Sequence, residues 1–371
     1  MPTFRILSLP TRSGLTAVPA NPIDHEPSAN VITIITGPNG SGKTEVLCSL
    51  VQQMRSALGA KVSNISDDQA WATVSGLPTR IVAQTFSSFS RFPRPPASTT
   101  FDDVNWRNAD IAEPYRPVGF RRGLGYAAER LSRNVVEQSL RALATEDGRE
   151  VDITHALDYL GFSRTMDLEF RAADKSANSL LRSSNPSQLK DWLTKFDARI
   201  RRIEMRYSTS QANMLRRLER MGLDGLSKEI HLARSFLQQS NDGGETYRLA
   251  LRFDSKRFGK ASNLLRAVLV LSQLRLMRLR FCRLNSVHGK RKVEVAQASS
   301  GQQQLLCSLL GIVGQARSGS LIVIDEPELS LYPQWQMDYL DLLSKAMSAF
   351  QGCHLVVATH SALIVQRAIQ L

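Results

Sequence analysis

Cysteine is scarce in this chain. Four occur in 371 residues, at Cys48, Cys282, Cys307 and Cys353, without any paired spacing. That argues against a disulfide framework or a thiolate zinc site. It suits reduced, mostly buried thiols, and a cytoplasmic location is expected. No run of about 18 apolar residues occurs, so no membrane-spanning helix and no membrane partner are expected. The opening residues, MPTFRILSLPTRSG, lack a basic region followed by a long apolar core and do not read as a signal peptide. Acid is in deficit as well: 34 Asp and Glu face 47 Lys and Arg, a net charge of +13. Arginine supplies most of the excess, and its planar fork suits phosphate and carboxylate. A basic surface of this kind favours polyanions, nucleic acid first; a solvated basic face or an acidic protein partner is the plainer alternative.

What is present is enough apolar material, 42% of residues, for a sizeable core. It allows one large domain with an insertion, or two domains. Strands are predicted at Phe4–Leu9, Val31–Thr36, Arg80–Phe86 and Tyr247–Phe253. A hairpin is predicted around the turn VHGK, between LRLRFCRLN and RKVEVAQ. Helices are predicted from Lys43 to Leu58 and from Leu264 to Leu274. VPANPIDHEP reads as loop, SRFPRPPAS as a proline-rich loop, and residues 99–125 resist assignment apart from the basic pair Arg121 and Arg122. From 127 to 240 the pattern is helical, with little strand signal. There Asn185 and Pro186 open a helix well, and Leu189, Leu193, Phe196, Ile200, Ile203 and Tyr207 step as a short heptad-like seam. Arg199, Arg201, Arg202, Arg206, Arg216, Arg217 and Arg220 decorate it. Two readings stand: a packed helix with a basic solvated face, or a helical arm that touches nucleic acid or a partner.

The chemistry gathers in two motifs. GPNGSGKT, Gly37 to Thr44, matches the phosphate loop G-x-x-x-x-G-K-[ST] and lies between a predicted strand and a predicted helix, the context it requires. Gly37, Gly40 and Gly42, with Pro38, Asn39 and Ser41 between them, let successive N–H groups wrap phosphate oxygens. The helix that opens at Lys43, Thr44 and Glu45 points its positive end at the same place. Lys43 would reach the β- and γ-phosphates, and Thr44 would ligate Mg²⁺. The second motif, LIVIDEPE, is an apolar strand ending in carboxylates. Asp325 would hold Mg²⁺ and Glu326 would activate water as general base.

Five short motifs occur in one order: the phosphate loop, Gln84 in VAQTF, SSGQQQ, IDEPELSLYP and VVATHS. This order resembles the ABC-type ATPases, in particular the DNA- and defence-associated branch of SMC proteins, RecF-like repair ATPases and the ATPase half of OLD-type nucleases. The resemblance covers residues 30–90 and 245–371. It implies an α/β fold: an ABC-type P-loop ATPase head with a central β-sheet flanked by helices, plus an inserted helical region. Residues 1–126 and 246–371 would form the head, with 127–245 as the insertion or short arm. It implies ATP and Mg²⁺ as cofactors, with Gln84 as the Q-loop glutamine on Mg²⁺; a buried polar residue at a strand end is the alternative for Gln84. Ser299, Ser300, Gly301 and Gln302 would be the signature, Leu329–Tyr332 the D-loop and His360 the switch histidine at the γ-phosphate. Ser300 replaces a frequent glycine, as is common in the OLD-like branch, and Tyr332 replaces a frequent histidine. A helix is expected to start at Gln302 or Gln303, with Leu305, Leu309 and Ile312 on its buried face. Gln303 and Gln304 stay unassigned, an exposed first turn being the plain reading.

In such a family the signature of one head closes over the phosphate loop of another. An ATP-dependent homodimer, or higher homo-oligomer, is therefore implied, with ATP held between heads. Control of a separate effector, a nuclease or toxin, or sensing of nucleic acid in anti-phage defence or DNA repair, would follow from closure. A regulatory scaffold that binds only an effector protein is the alternative. A transporter subunit fits less well, because residues 85–298 lie between Gln84 and Ser299. The chain reaches Leu371 soon after His360, so effector chemistry is expected in another chain.

Overall fold

The computed structural model describes residues 4–9, 16–19, 28–59, 72–87, 114–119, 153–183, 224–235, 245–253, 267–272, 276–287 and 291–370, with shorter pieces between them. Its centre is a six-stranded sheet. Five of its strands are parallel: β3 (Val31–Thr36), β13 (His354–Thr359), β12 (Leu321–Asp325), β5 (Ile81–Thr85) and β6 (Tyr115–Gly119), side by side in that order. β2 (Thr16–Pro19) pairs antiparallel on the outer edge of β3. These strands are short β-branched or apolar runs, and β5, β12 and β13 are buried on both faces, as a parallel sheet between helical layers requires. β13, which carries His360 at its end, lies between the phosphate-loop strand β3 and the acidic strand β12.

Period-two alternation sorts the side chains onto two cores. On one face Ile35, Ile81, Ala83, Leu321, Val323 and Val356 meet α1 (Lys43–Ala57). That helix contributes Leu47, Leu50, Val51 and Met54, spaced three and four apart and all essentially buried. Each such side chain contributes ~1.5–3 kcal/mol. On the other face Ile34, Val82, Ile322, Ile324 and Val357 join a larger core. It runs through α4 (Ser300–Gln315) and α5 (Pro333–Ala346).

That larger core continues into a second, antiparallel sheet. Its order is β11 (Lys292–Glu294), β10 (Met277–Ser286), β7 (Phe162–Ala172), β9 (Thr246–Arg252) and β8 (Gln238–Gln239). Met166, Leu168 and Phe170 of β7 face inward. A third, two-stranded sheet pairs β1 (Arg5–Ser8) with β4 (Thr73–Ser75). β1 is stapled to the start of β13: Phe4 N–H donates to Gly352 O and Ile6 N–H donates to His354 Nδ1 at 3.0 Å. His354 Nε2 lies 2.9 Å from Thr33 Oγ1. Burial, helped by Arg5, lowers its pKa to about 4, so the ring is neutral.

Two expectations are corrected here, and one unassigned stretch takes a place in the fold. Residues 162–172 lie in the stretch read as helical, yet they form the middle strand of the antiparallel sheet. Their partners β9 and β10 are remote in sequence, so local pattern did not reveal them. Helices do occupy α2 (Thr154–Tyr159), α3 (Lys175–Ser183) and residues 224–235. Residues 16–19, partly within the expected loop, form the edge strand β2. Residues 115–119, left unassigned, form the opposite edge β6, where Pro117 is tolerated because an outer edge needs no N–H. The hairpin of β10 with β11 and the helical segment 267–272 appear where they are predicted. The seam from Leu189 to Tyr207, the arginines from Arg199 to Arg220, and the pair Arg121 and Arg122 lie outside the described residues.

Candidate nucleotide site

All five parallel strands point their C-terminal ends at one edge, where ligands bind in sheets of this kind. β3 delivers the loop Gly37–Gly42. Gly40 (φ 81°) and Gly42 (φ 90°) take left-handed conformations, and Gly42 caps α1. Any L side chain there would be strained. Lys43 is buried and its Nζ donates to Gly37 O (2.9 Å) and Pro38 O (3.1 Å), so the ammonium is held inside the loop. Asn39 is exposed, Pro38 sits on the loop surface beside it, and Glu45 lies in the first turn of α1.

Thr44 and Asp325, remote in sequence, meet under this loop. Thr44 Oγ1 lies 3.0 Å from both Oδ1 and Oδ2 of Asp325. Burial pushes the Asp325 carboxyl up to about 6; the Thr44 hydroxyl opposes that rise, Glu326 and Glu328 add to it, and Lys43 opposes it. The Thr44 hydroxyl and the Asp325 carboxylate offer hard oxygen donors of the kind Mg²⁺ takes. A second sign of fit is Ser41 Oγ, which is buried in the phosphate loop without a hydrogen-bond partner among the described residues. Thr44 and Asp325 would hold Mg²⁺, and the loop N–H groups, Lys43 and Ser41 the phosphates.

Beyond Asp325 the chain turns sharply. Glu326 has φ 50° and Ser330 φ 64°, both left-handed, a conformation that costs a non-glycine residue on the order of 1 kcal/mol. Glu326 N–H donates to Ala358 O, and its carboxylate stays partly exposed, with Oε1 3.5 Å from His360 Nδ1. Glu328, by contrast, is buried and bonds the end of β13, including His360. His360 itself is partly exposed.

Gln84 departs from the Q-loop expectation and sits as a buried polar residue near the end of its strand. It shares its face of β5 with Val82, whereas Asp325 is paired in register with the next residue, Thr85. Its side chain is 1% exposed and is committed to α4: Nε2 donates to Ser308 O (3.0 Å) and Oε1 accepts from Ser308 Oγ (2.7 Å). Ser308 Oγ in turn lies 2.8 Å from the Tyr339 hydroxyl. The structure thus places Gln84 in the core between sheet and helix, away from Thr44 and Asp325.

The segment at 299–304 is also corrected. The helix begins at Ser300 rather than at Gln302, and Ser299 is its N-cap. Ser299 and Gln302 form a reciprocal capping box, with Gln302 N–H on Ser299 Oγ and Ser299 N–H on Gln302 Oε1, both 3.2 Å. Ser299 and Ser300 are exposed. Gly301 is buried: a Cβ there would lie 2.8 Å from Ser330 O and 2.9 Å from the Trp335 ring. Gln303 and Gln304 are anchors, not an exposed first turn. Gln303 Nε2 donates to Ala296 O and Ala298 O, and buried Gln304 donates to Pro327 O at 2.7 Å. Leu305, Leu309 and Ile312 are fully buried.

Ser308, Glu328 and Tyr339 escaped the sequence reading. The available signal was polarity in apolar company: a serine inside LLCSLL, and a glutamate two residues beyond the acidic pair.

A glycine-rich loop leading from a strand into a helix, a buried lysine, and a threonine on a strand-end aspartate define a P-loop nucleoside triphosphatase. The chain belongs to the family described as "AAA domain, putative AbiEii toxin, Type IV TA system", whose model matches residues 32–366. This is a family of P-loop ATPases. A comparison with curated proteins finds no match.

Proposed function

We propose that this protein is an ATPase of the SMC/RecF/OLD-like kind, whose heads close on each other head to tail around ATP. The observation that carries this reading is the division of the site. The phosphate loop, Asp325 and Glu326 gather at one edge of the sheet, while Ser299 and Ser300 stand exposed at the start of α4, available to a second head. In this reading Lys43 and the loop N–H groups bind the phosphates, and Thr44 and Asp325 orient Mg²⁺, which neutralises phosphate charge when bound. Glu326 takes the proton from the attacking water on its exposed carboxylate, and His360 faces the γ-phosphate. Ser299, Ser300 and Gln302 of a second copy complete the ring of donors, with the N-terminal end of α4 behind them.

The closed dimer would couple to nucleic acid, in phage defence or repair. The outer face of the antiparallel sheet supports this. Arg248, Arg252, Arg278 and Arg280 are exposed there, and Arg280 and Arg283 lie over the Phe281 ring at 4.9 and 4.4 Å. Glu169 and Asp167 offset part of that charge. A second reading, regulation of a toxin or nuclease chain without nucleic acid, draws on the toxin–antitoxin wording of the family description.

The test is ATPase rate with and without DNA across a salt series, with Glu326→Gln sized in ATP. Stimulation that falls steeply with salt supports the first reading; a rate indifferent to DNA favours the second. Glu326→Gln should bind ATP, turn over slowly and run as a dimer. A persistently monomeric Glu326→Gln would sink the composite site.

A further inference from the structure

Glu328 has no part in the nucleotide chemistry set out above, yet it is the most thoroughly engaged carboxylate at the site. Its side chain is 4% exposed. One oxygen, Oε1, accepts hydrogen bonds from Thr359 Oγ1 at 2.7 Å and His360 N–H at 2.8 Å, and His360 Nδ1 lies 3.1 Å from it as an ion-pair contact. The other, Oε2, is buried without a hydrogen-bond partner among the described residues. Burying a carboxylate is unfavourable, and an apolar side chain of similar volume would commonly serve packing as well or better. The bonds it makes all converge on the end of β13.

Their geometry has one specific effect. A carboxylate oxygen 3.1 Å from Nδ1 favours the proton on that nitrogen electrostatically, and the bond to His360 N–H fixes the backbone that carries the ring. Nε2 is then the one ring nitrogen left for a substrate. Glu326 Oε1, at 3.5 Å from Nδ1, is a weaker neighbour.

We propose that Glu328 is a positioning residue. It clamps Thr359 and His360 so that the imidazole is held by Nδ1 and presents Nε2 to the γ-phosphate. This rests on the reading of His360 given under Proposed function.

The test is a double-mutant cycle on the full chain, using steady-state ATP hydrolysis and equilibrium binding of a fluorescent ATP analogue. Glu328→Ala should lower kcat roughly 10- to 100-fold and leave analogue binding and KM nearly unchanged. Glu328→Gln keeps an acceptor in the same place, so it should recover a large part of the rate; it also serves if the alanine variant fails to fold. The Glu328→Ala/His360→Ala double variant should be no slower than His360→Ala alone, because both changes disable one device. Multiplying losses would overturn the clamp, as would Glu328→Ala and Glu328→Gln variants at full rate beside an inactive His360→Ala. Full activity in His360→Ala would instead remove the histidine's role, and this inference with it.

Discussion

Replacing Gln84 with alanine separates two accounts of that residue. In the structure its amide is buried and makes two bonds to Ser308. Neutral buried hydrogen bonds contribute ~1 kcal/mol each, and the lost methylene adds ~0.8 kcal/mol. A partly collapsed cavity raises the total. Ser308 keeps Tyr339 as a partner, so its hydroxyl is not stranded. Gln84→Ala should therefore destabilise the protein by about 2–4 kcal/mol. At roughly 2 °C per kcal/mol for a chain of this size, Tm should fall by about 4–8 °C without nucleotide. Gln84→Met fills the space without bonding and should recover about half of the loss. The assays are thermal and urea unfolding, alongside a Mg²⁺ titration of ATP hydrolysis. A Gln84→Ala protein with unchanged Tm but a raised Mg²⁺ requirement would refute the structural reasoning and return Gln84 to the metal.

Gly301→Ala should lower stability by about 1–2 kcal/mol, since crowding of the Ser330 carbonyl outweighs alanine's helical advantage; a raised Tm in thermal unfolding would contradict the packing. His354 supplies a pH dependence. Its folded pKa, about 4, lies below its unfolded value near 6.5. The unfolded chain therefore binds the extra proton, and stability is lost as pH falls from 6.5 toward 4, by up to about 3 kcal/mol. Asp325, raised to about 6, acts in the opposite direction: its contribution is lost as pH rises from 3.8 to 6. Comparing the wild type with His354→Gln by urea unfolding at pH 4.5 and 7 isolates the histidine. Equal pH slopes for the two proteins would count against a neutral buried ring.

The phosphate loop and the acidic strand end were legible because each is fixed by local chemistry: glycines at left-handed positions, and an apolar run that must end at carboxylates. The pairing of Thr44 with Asp325 follows from the same alternation that sends Leu321 and Val323 toward α1. What local pattern did not reveal depends on remote partners. β7 is a strand because β9 and β10 flank it, and its outward Asp167 and Glu169 are matched by Lys292, Arg248 and Arg283. Gln84 sat at a motif position, and only the register of β5 shows which way it faces. Gln303 and Gln304 looked solvated because glutamine usually is. Carbonyls at Ala296, Ala298 and Pro327 gave them a use that no spacing rule encodes.

The staple between β1 and the start of β13 bears on how the protein can be handled in the laboratory. Phe4 and Ile6 are fastened at Gly352 and His354, while His360 follows the other end of that strand. Six extended residues span roughly 20 Å. A fluorophore carried near Phe4 therefore reports on the bottom of the central sheet, well removed from the nucleotide edge.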